Sequence, residues 1–264
     1  MVYPRLDAYL TGKNYFESRN RACRAVRNGY VSVNGSTATK PSYRILPGDK
    51  VTVMGDPLPY VSMAALKLRI FLDETGLEVS GLRICDAGSS TGGFSQILLQ
   101  RGALFIWAVD VGRGQLHPSL AEDPRISLHE KCDIRDFLAS SPPELDMITA
   151  DLSFISLKKV IPAMAAAGVP SLLLLFKPQF ETSPGEKNKK GVVTDPVCHE
   201  KALNSFRDCL LKEGFFPLII KRSKVLGGEG NREYFIFCER KASAVITPYD
   251  IKKEVFKDED FLDF

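Results

Sequence analysis

Two hydrophobic patterns divide the chain. From residue 62 onward, short unbroken apolar runs recur: LRICDA at 82–87, LFIWAVD at 104–110, ISLHEK at 126–131, LDMITAD at 145–151 and SLLLLFK at 171–177. Longer stretches of helical character, such as FSQILLQRG and SLKKVIPAMAAAG, lie between them. Strands that are apolar on both sides belong in a parallel sheet covered by helices on both faces, so the pattern predicts a doubly wound α/β sheet. The last runs, FFPLIIKR (215–222) and EYFIFCE (233–239), leave no room for a helical crossover, which predicts an antiparallel pair at one side of that sheet.

The first 54 residues read differently. Ser18 is a good N-cap for a helix through RNRACRAVRN, and Gly29 stands where a left-handed stop belongs. Arg21, Arg24 and Arg27 recur every three residues near one face, leaving Ala22, Ala25 and Val26 to face inward. Beyond it, YVSVNGSTATKPSYRILPGDKVTV alternates apolar and polar residues and is broken at Asn34-Gly35 and Pro47-Gly48, which predicts short strands and tight turns. The expected organisation is a small α+β unit over 1–54, a Pro/Gly linker over 55–61, an α/β unit over 62–249 and a charged tail over 250–264.

Charge follows the same division. Residues 1–55 hold nine Lys/Arg against three acids, whereas the remainder is mildly acidic, so a basic module precedes a larger one within a net charge of +3. A basic helix beside a small sheet suits the RNA phosphate backbone; the plain alternative is a solvated helix face. The longest apolar run, SLLLLF, is far short of the roughly 20 residues that cross a bilayer. The N-terminus has no export-signal pattern, so a cytoplasmic protein without a membrane partner is expected. Six cysteines without a C-x-x-C pair and three dispersed histidines argue against a disulfide framework and a metal site.

The chemistry-bearing loop is CDAGSSTGGFS at 85–95, at the end of the first long strand and therefore where an α/β sheet takes a ligand. It has no P-loop lysine, and Ser90 stands where a dinucleotide fingerprint needs its middle glycine. S-adenosylmethionine has no phosphate and is cationic, so Asp86 at the strand end would assist it. The loop from Gly88 through Ser89, Ser90, Thr91, Gly92 and Gly93 to Phe94 would then let backbone approach it. Asp110, with Val111 after it, ends the next strand and is placed to accept from ribose hydroxyls, although NAD enzymes use an acid in the same way. Asp133 and Ile134 after the third strand could frame an adenine. A tight strand-to-helix turn without a ligand remains open at this point.

Four charges share the same edge: Lys67 on the helix before the first strand, Asp151 and Lys177 after the fourth and fifth, and Glu233 before the last. Singly each has an ordinary explanation: a solvated helix lysine, an N-cap, a loop charge, an edge-strand charge. As a set, Lys67, Asp151, Lys177 and Glu233 resemble the Lys-Asp-Lys-Glu tetrad of FtsJ-type ribose 2′-O-methyltransferases. Asp151-Leu-Ser-Phe154 has the spacing of the Asp/Asn-Pro-Pro-aromatic signature of amino methylation without its prolines, which leaves hydroxyl or carbon acceptors open. A ribose hydroxyl needs a base in the moment of attack, and a lysine serves only once desolvation or a neighbouring cation lowers its pKa. Lys177 is the candidate base, Lys67 the neighbouring charge, and Asp151 and Glu233 hold the two lysines.

The wider match is closer. VDVGRGQL, ADLSFISL, LFKPQFE, KGVVTDPVCHE and GGEGNREYF resemble the TlyA family in order along the chain, and RLDAYL, SRNRACRAVRNGYVSVNG and ILPGDKVTV resemble an S-four type RNA-binding domain. The resemblance implies a seven-stranded Rossmann-like sheet that uses S-adenosylmethionine to methylate a cytidine 2′-hydroxyl in ribosomal RNA, of the 23S or also the 16S kind. It further implies that Arg5, Arg19, Arg21, Arg24 and Arg27 meet RNA on the ribosomal subunit, and it calls for no metal. Members carry Tyr-Val-Ser-Arg-Gly before the first tetrad lysine, where this chain has Tyr60-Val61-Ser62-Met63-Ala64. Two other functions are compatible with the same modules: a non-catalytic RNA-binding assembly factor, and the membrane-lytic haemolysin of the family's older label, against which the absence of an apolar span argues.

Overall fold

The computed structural model describes residues 3–27, 29–54, 60–140, 144–241 and 244–257. They fall into two compact units, one within residues 1–59 and one within 60–262. Residues 55–59 of the expected linker lie outside the described residues, and Tyr60 and Val61 pack on the core of the second unit.

In the first unit, helices α1 (Leu6–Gly12) and α2 (Arg19–Arg27) pack together beside a three-stranded sheet. Its antiparallel strands β1 (Val31–Val33), β2 (Ser36–Thr37) and β3 (Val51–Val53) run in the order β2-β1-β3. Ser18 caps α2, its Oγ accepting from the Arg21 amide at 3.3 Å. Asn34 and Gly35 both take positive φ, 53° and 78°, the hand that matches the twist of a two-residue hairpin. Leu6, Leu10, Ala22, Ala25, Val26 and Val31 form a fully buried core.

The second unit is built on a seven-stranded sheet. Its strands are β4 (Arg83–Ala87), β5 (Phe105–Asp110), β6 (Ile126–Glu130), β7 (Met147–Ala150), β8 (Ser171–Phe176), β9 (Phe216–Arg222) and β10 (Tyr234–Glu239). They run in the order β6-β5-β4-β7-β8-β10-β9, the first five parallel and β10 antiparallel to both its neighbours, β8 and β9. Helices α3 (Met63–Thr75), α4 (Gly93–Gln100) and α5 (Pro118–Ala121) cover one face. The other is covered by α6 (Ile134–Ala139), α7 (Ile161–Ala166), α9 (Pro196–Lys212) and α10 (Pro248–Val255), with the short α8 (Pro178–Glu181) following β8. All six residues of β8 are buried, alternating between the two helical layers. That two-sided burial is why the central strands read as continuous apolar runs.

Two expectations differ from the structure. SLKKVIPAMAAAG is a 3-10 turn, Leu157–Lys159, followed by α7, because Pro162 suits a first helical turn and not a helix interior. Residues 250–255, expected in a charged tail, belong to α10, which Thr247 and Asp250 cap reciprocally and which buries Ile251 and Val255 against α9 and β9. Charged Lys252, Lys253 and Glu254 conceal the two anchors. Residues 258–264 lie outside the described residues. Truncating Ile251, 2% exposed, to Ala is expected to cost roughly 2–5 kcal/mol in urea unfolding; an unchanged midpoint would mean that α10 does not hold to the core.

Candidate functional site

The carboxyl ends of β4, β5, β7 and β8 open on one edge, and the order places a switch point beside β4, from which the chain departs to β5 and β6 and returns to β7. Asp151 follows β7 and Lys177 follows β8. Lys177 Nζ lies 2.7 Å from Asp151 Oδ1 and donates to Ser153 Oγ at 3.0 Å. Because β10 runs antiparallel with Tyr234 opposite Phe176, its first end meets the last end of β8, and Glu233 arrives at the same edge. Lys67, on α3, donates to Glu233 Oε2 at 2.6 Å, the two residues being 8% and 2% exposed. The four charges thus form two ion pairs. Burial rules out a solvated lysine at 67, and β10 is an interior strand, so Glu233 is no edge charge.

Gly227 belongs to the same construction. Its φ of −75° is open to any residue, yet a Cβ there would overlap the Glu233 carboxylate. Sequence reasoning passed over Gly227 because its partner lies six residues on, across a turn.

The loop at 85–95 departs from expectation in two respects. Asp86 is 1% exposed and turned away from the strand-end cavities: Ser95 donates to its Oδ2 through both backbone N–H and hydroxyl, at 3.0 and 2.7 Å, and Thr149 donates to Oδ1 at 3.2 Å. It therefore satisfies a free amide of the first turn of α4 and ties that helix to β4 and β7, which positions the loop. The glycines clear protein atoms as well. A Cβ on Gly88 (φ +79°) would lie 2.8 Å from the Asp151 carbonyl, and one on Gly92 (φ +90°) would overlap Leu116 and Leu120. One on Gly93 would overlap Ser62 Oγ and meet the Ala65 amide at 2.9 Å, so Gly93 lets α4 approach the start of α3 at Met63 and Ala64.

A cavity of about 520 Å³ runs across the ends of β4 to β7. Gly88, Ser90, Asp110, Val111, Asp133 and Ile134 line it, joined by Gln115, Cys132, Leu152, Ser153 and the exposed Phe154. Asp110 accepts from the amides of Ser90 (2.9 Å) and Gly112 (2.6 Å), and Gln115 accepts from the Ser90 hydroxyl at 3.0 Å. Asp133 caps α6 and pairs with Arg135, which hold its carboxyl below the usual range against the opposing effect of burial. A smaller cavity of about 170 Å³ shares Gly88, Ser90, Asp151 and Ser153 with the first and adds Ser89, Thr91, Gly93, Phe94 and Lys177. Asp86 and Gly92 line neither. A larger hollow, about 820 Å³ between β9 and α10, lies where Glu239 pairs with Ser171, the opposite end of β8, and holds none of these charges.

Among the described residues, the lining of the 520 Å³ cavity carries three acids, Asp110, Asp133 and Asp151, and no lysine or arginine, with Arg135 and Lys177 pairing with the last two from outside it. Such a donor set fits a cationic adenosine compound and repels a polyphosphate; Val111, Ile134, Leu152 and Ile155 supply apolar surface for a flat ring. S-adenosylmethionine meets these terms.

In the first unit, Arg5 and Arg19 both donate to Asp7 at 3.0 Å. Burial raises the Asp7 carboxyl, but these arginines, the Cys23 thiol and the Ala8 amide together hold it well below the usual range. Arg5 and Arg19 are therefore partly structural, although both stay substantially exposed, while Arg21 pairs with Glu17 on the outer face of α2.

Burial also pushes Asp86 up to about 6 against its hydrogen bonds, from an ordinary 3.8. A carboxyl raised by folding stabilises the fold below its unfolded value, and the contribution disappears as the pH climbs from about 4 through about 6, roughly 3 kcal/mol in all. Asp86→Asn, whose amide oxygen can accept from Ser95, is expected to flatten the stability–pH curve over that window relative to the parent. Parallel curves in urea titrations would refute the burial argument.

Residues 60–240 match the family model of FtsJ-like methyltransferases, and residues 4–51 match the S4 domain. The 23S rRNA (cytidine-2′-O)-methyltransferase TlyA of Campylobacter jejuni is 38% identical over 88% of this chain and 98% of its own. The 16S/23S rRNA (cytidine-2′-O)-methyltransferase TlyA of Mycobacterium tuberculosis is 34% identical over 96% of both. A solved structure from Streptococcus thermophilus superposes with a TM-score of 0.74 at 34% identity, covering 97% of this chain and 95% of that one. With the ion-paired lysines and the acid-lined cavity in place, these matches show that the chain belongs to the FtsJ-like methyltransferase family, in the group that includes the TlyA proteins.

Proposed function

We propose that the protein transfers a methyl group from S-adenosylmethionine to a cytidine 2′-hydroxyl of ribosomal RNA, acting in the cytoplasm on ribosomal subunits. The observation that carries this reading is the buried pairing of Lys67 with Glu233 and the half-buried pairing of Lys177 with Asp151, beside a cavity lined by acids. Bound there, S-adenosylmethionine supplies an electrophilic methyl on a sulfonium.

The chain's residues divide the chemistry among them. Lys177 Nζ, which lines the smaller cavity, takes the proton of the attacking 2′-hydroxyl from the state in which its amine is neutral. Asp151 and the Ser153 hydroxyl fix where that amine points. Lys67, held by Glu233, orients the ribose oxygen and adds positive charge near the nucleophile. Asp110, Asp133 and Ile134 frame the adenosine end, and Asp86 acts through Ser95 to keep the glycine loop in place. Phe154, 93% exposed with its ring 5.4 Å from that of Phe180, offers an aromatic surface to an unstacked base. The S4 domain, with Arg21, Arg24 and Arg27 along α2 and Arg5 and Arg19 nearby, brings in the RNA. Among the described residues no helix is long and apolar enough to cross a membrane.

Lys177→Ala is expected to lower methyl incorporation into ribosomal subunits from a deletion strain at least 100-fold while leaving S-adenosylmethionine binding by calorimetry intact. Near-parental incorporation would remove Lys177 as the base. Mass spectrometry of nucleosides from deletion and complemented strains tests the reaction itself: a 2′-O-methylcytidine must vanish and return.

Gly227→Ala should keep the fold, since the backbone tolerates it and only a side-chain end must move. It should nevertheless cut transfer about 10–100-fold by driving Glu233 from Lys67. Adding Glu233→Asp, which shortens the acid, is expected to restore part of the loss; full activity of the Gly227→Ala chain would show that Glu233 need not stay where it is.

A further inference from the structure

The segment KGVVTDPVCHE and the residues before it are not used by the tetrad, yet both ends of this stretch are rooted beside it. After Lys177 the chain forms α8, and Ser183 then starts a 3-10 turn, Pro184–Glu186, with backbone N–H and hydroxyl donating to Glu186 at 2.8 and 2.6 Å. Asn188 next closes a tight turn: its amide donates to the Val192 carbonyl at 2.9 Å, and its Oδ1 accepts from the amides of Lys190 and Val192 at 2.9 and 3.0 Å. On the far side, Val193 is 2% exposed; its carbonyl accepts from His199 Nε2 at 2.8 Å and its amide donates to Asn231 Oδ1 at 3.4 Å. A carbonyl only accepts, so Nε2 carries the imidazole hydrogen and Nδ1 accepts from the Tyr234 hydroxyl at 3.1 Å. One leg of the loop thus leaves from Lys177, and the other is fastened to Asn231 and Tyr234, the residues flanking Arg232 and Glu233.

Charge is divided unevenly along this loop. The acids from 181 to 195 are all engaged within the fold, since Glu181 accepts from the Ser156 hydroxyl and the Leu157 amide, Glu186 accepts from Ser183, and Asp195 caps α9 through the Val197 amide. The three lysines of the tip, Lys187, Lys189 and Lys190, have no ion pair or side-chain hydrogen bond among the described residues, and the last two are exposed. A merely solvated charge run would have no need of a buried histidine and a buried asparagine to hold its base.

We infer that the Lys187–Lys190 loop is an RNA-phosphate contact of the methyltransferase unit, gripping the backbone next to the nucleotide whose ribose reaches Lys177. The inference rests on the proposal that the substrate is RNA. Lysine amines act as point charges on phosphates, and each such contact releases counterions, adding about 0.7–0.9 to the slope of log affinity against log salt.

The test uses the full chain and purified ribosomal subunits from a deletion strain, comparing the parent with Lys187→Ala/Lys189→Ala/Lys190→Ala. The expected result is a salt slope shallower by about 2 and subunit affinity weakened about tenfold or more near 0.15 M salt. At saturating subunits kcat should stay within about twofold, and S-adenosylmethionine binding should be unchanged. Arginine at the three positions should restore affinity. An unchanged slope and affinity, or a fall in kcat alone, would overturn the contact. Affinity is measured without turnover, so a parent chain that transfers no methyl sinks the proposed function while the slope still decides the loop.

Discussion

The antiparallel register of β10 on β8 is the constraint on which the site depends. Three parallel strands can bring an acid and a lysine to one edge, but a second acid aimed at Lys67 needs a strand that begins where β8 ends. Tyr234 opposite Phe176 supplies that beginning, and Glu233 follows from it. A one-residue slip would turn Glu233 to the other face and bury both Tyr234 and Phe235 in the wrong helical layers. Lys67 and Glu233 compensate each other away from water, and removing either leaves a buried charge at a cost of about 3–5 kcal/mol. Gly227 leaves the room in which that compensation happens.

Charge around the strand ends is zoned. The cavity at β4 to β7 is lined by carboxylates, and the loop tip rooted at β8 and β10 carries amines without a partner among the described residues. Lys177 and Asp151 sit at the boundary between these zones. On the proposed function, one sheet edge offers separate fields to a cation and to a polyanion, which is what a reaction joining two such partners requires.

The fold was largely legible because burial on both faces leaves its mark in single strands: SLLLLF can be little else than a central strand, and all seven apolar runs became strands. The tetrad positions were legible for the same reason, each being the first polar residue outside a strand or a charge on the adjoining helix. What escaped was contact between distant segments. Gly92 answers to Leu116 and Leu120, Gly93 to Ser62, and Gly227 to Glu233; a glycine reads identically whether it clears a ligand or a neighbour. Asp86 looked like a ligand group because nothing in DAGSSTGGFS reveals that Ser95 returns to it. Ile251 and Val255 were hidden among lysines and glutamates, and Arg5 and Arg19 read as free because Asp7 gave no sign of being buried.

The acidic lining of the larger cavity bears on competition inside a cell. Adenosine is the common handle of ATP and the nicotinamide cofactors, and an adenine pocket alone would fill with them. A lining of carboxylates disfavours phosphate groups, so on the proposed function part of the selectivity comes from what the cavity refuses. On the proposed reaction, the same carboxylates have less to hold once the methyl has gone and the sulfur is neutral, which favours departure of the spent donor and readies the site for another turnover.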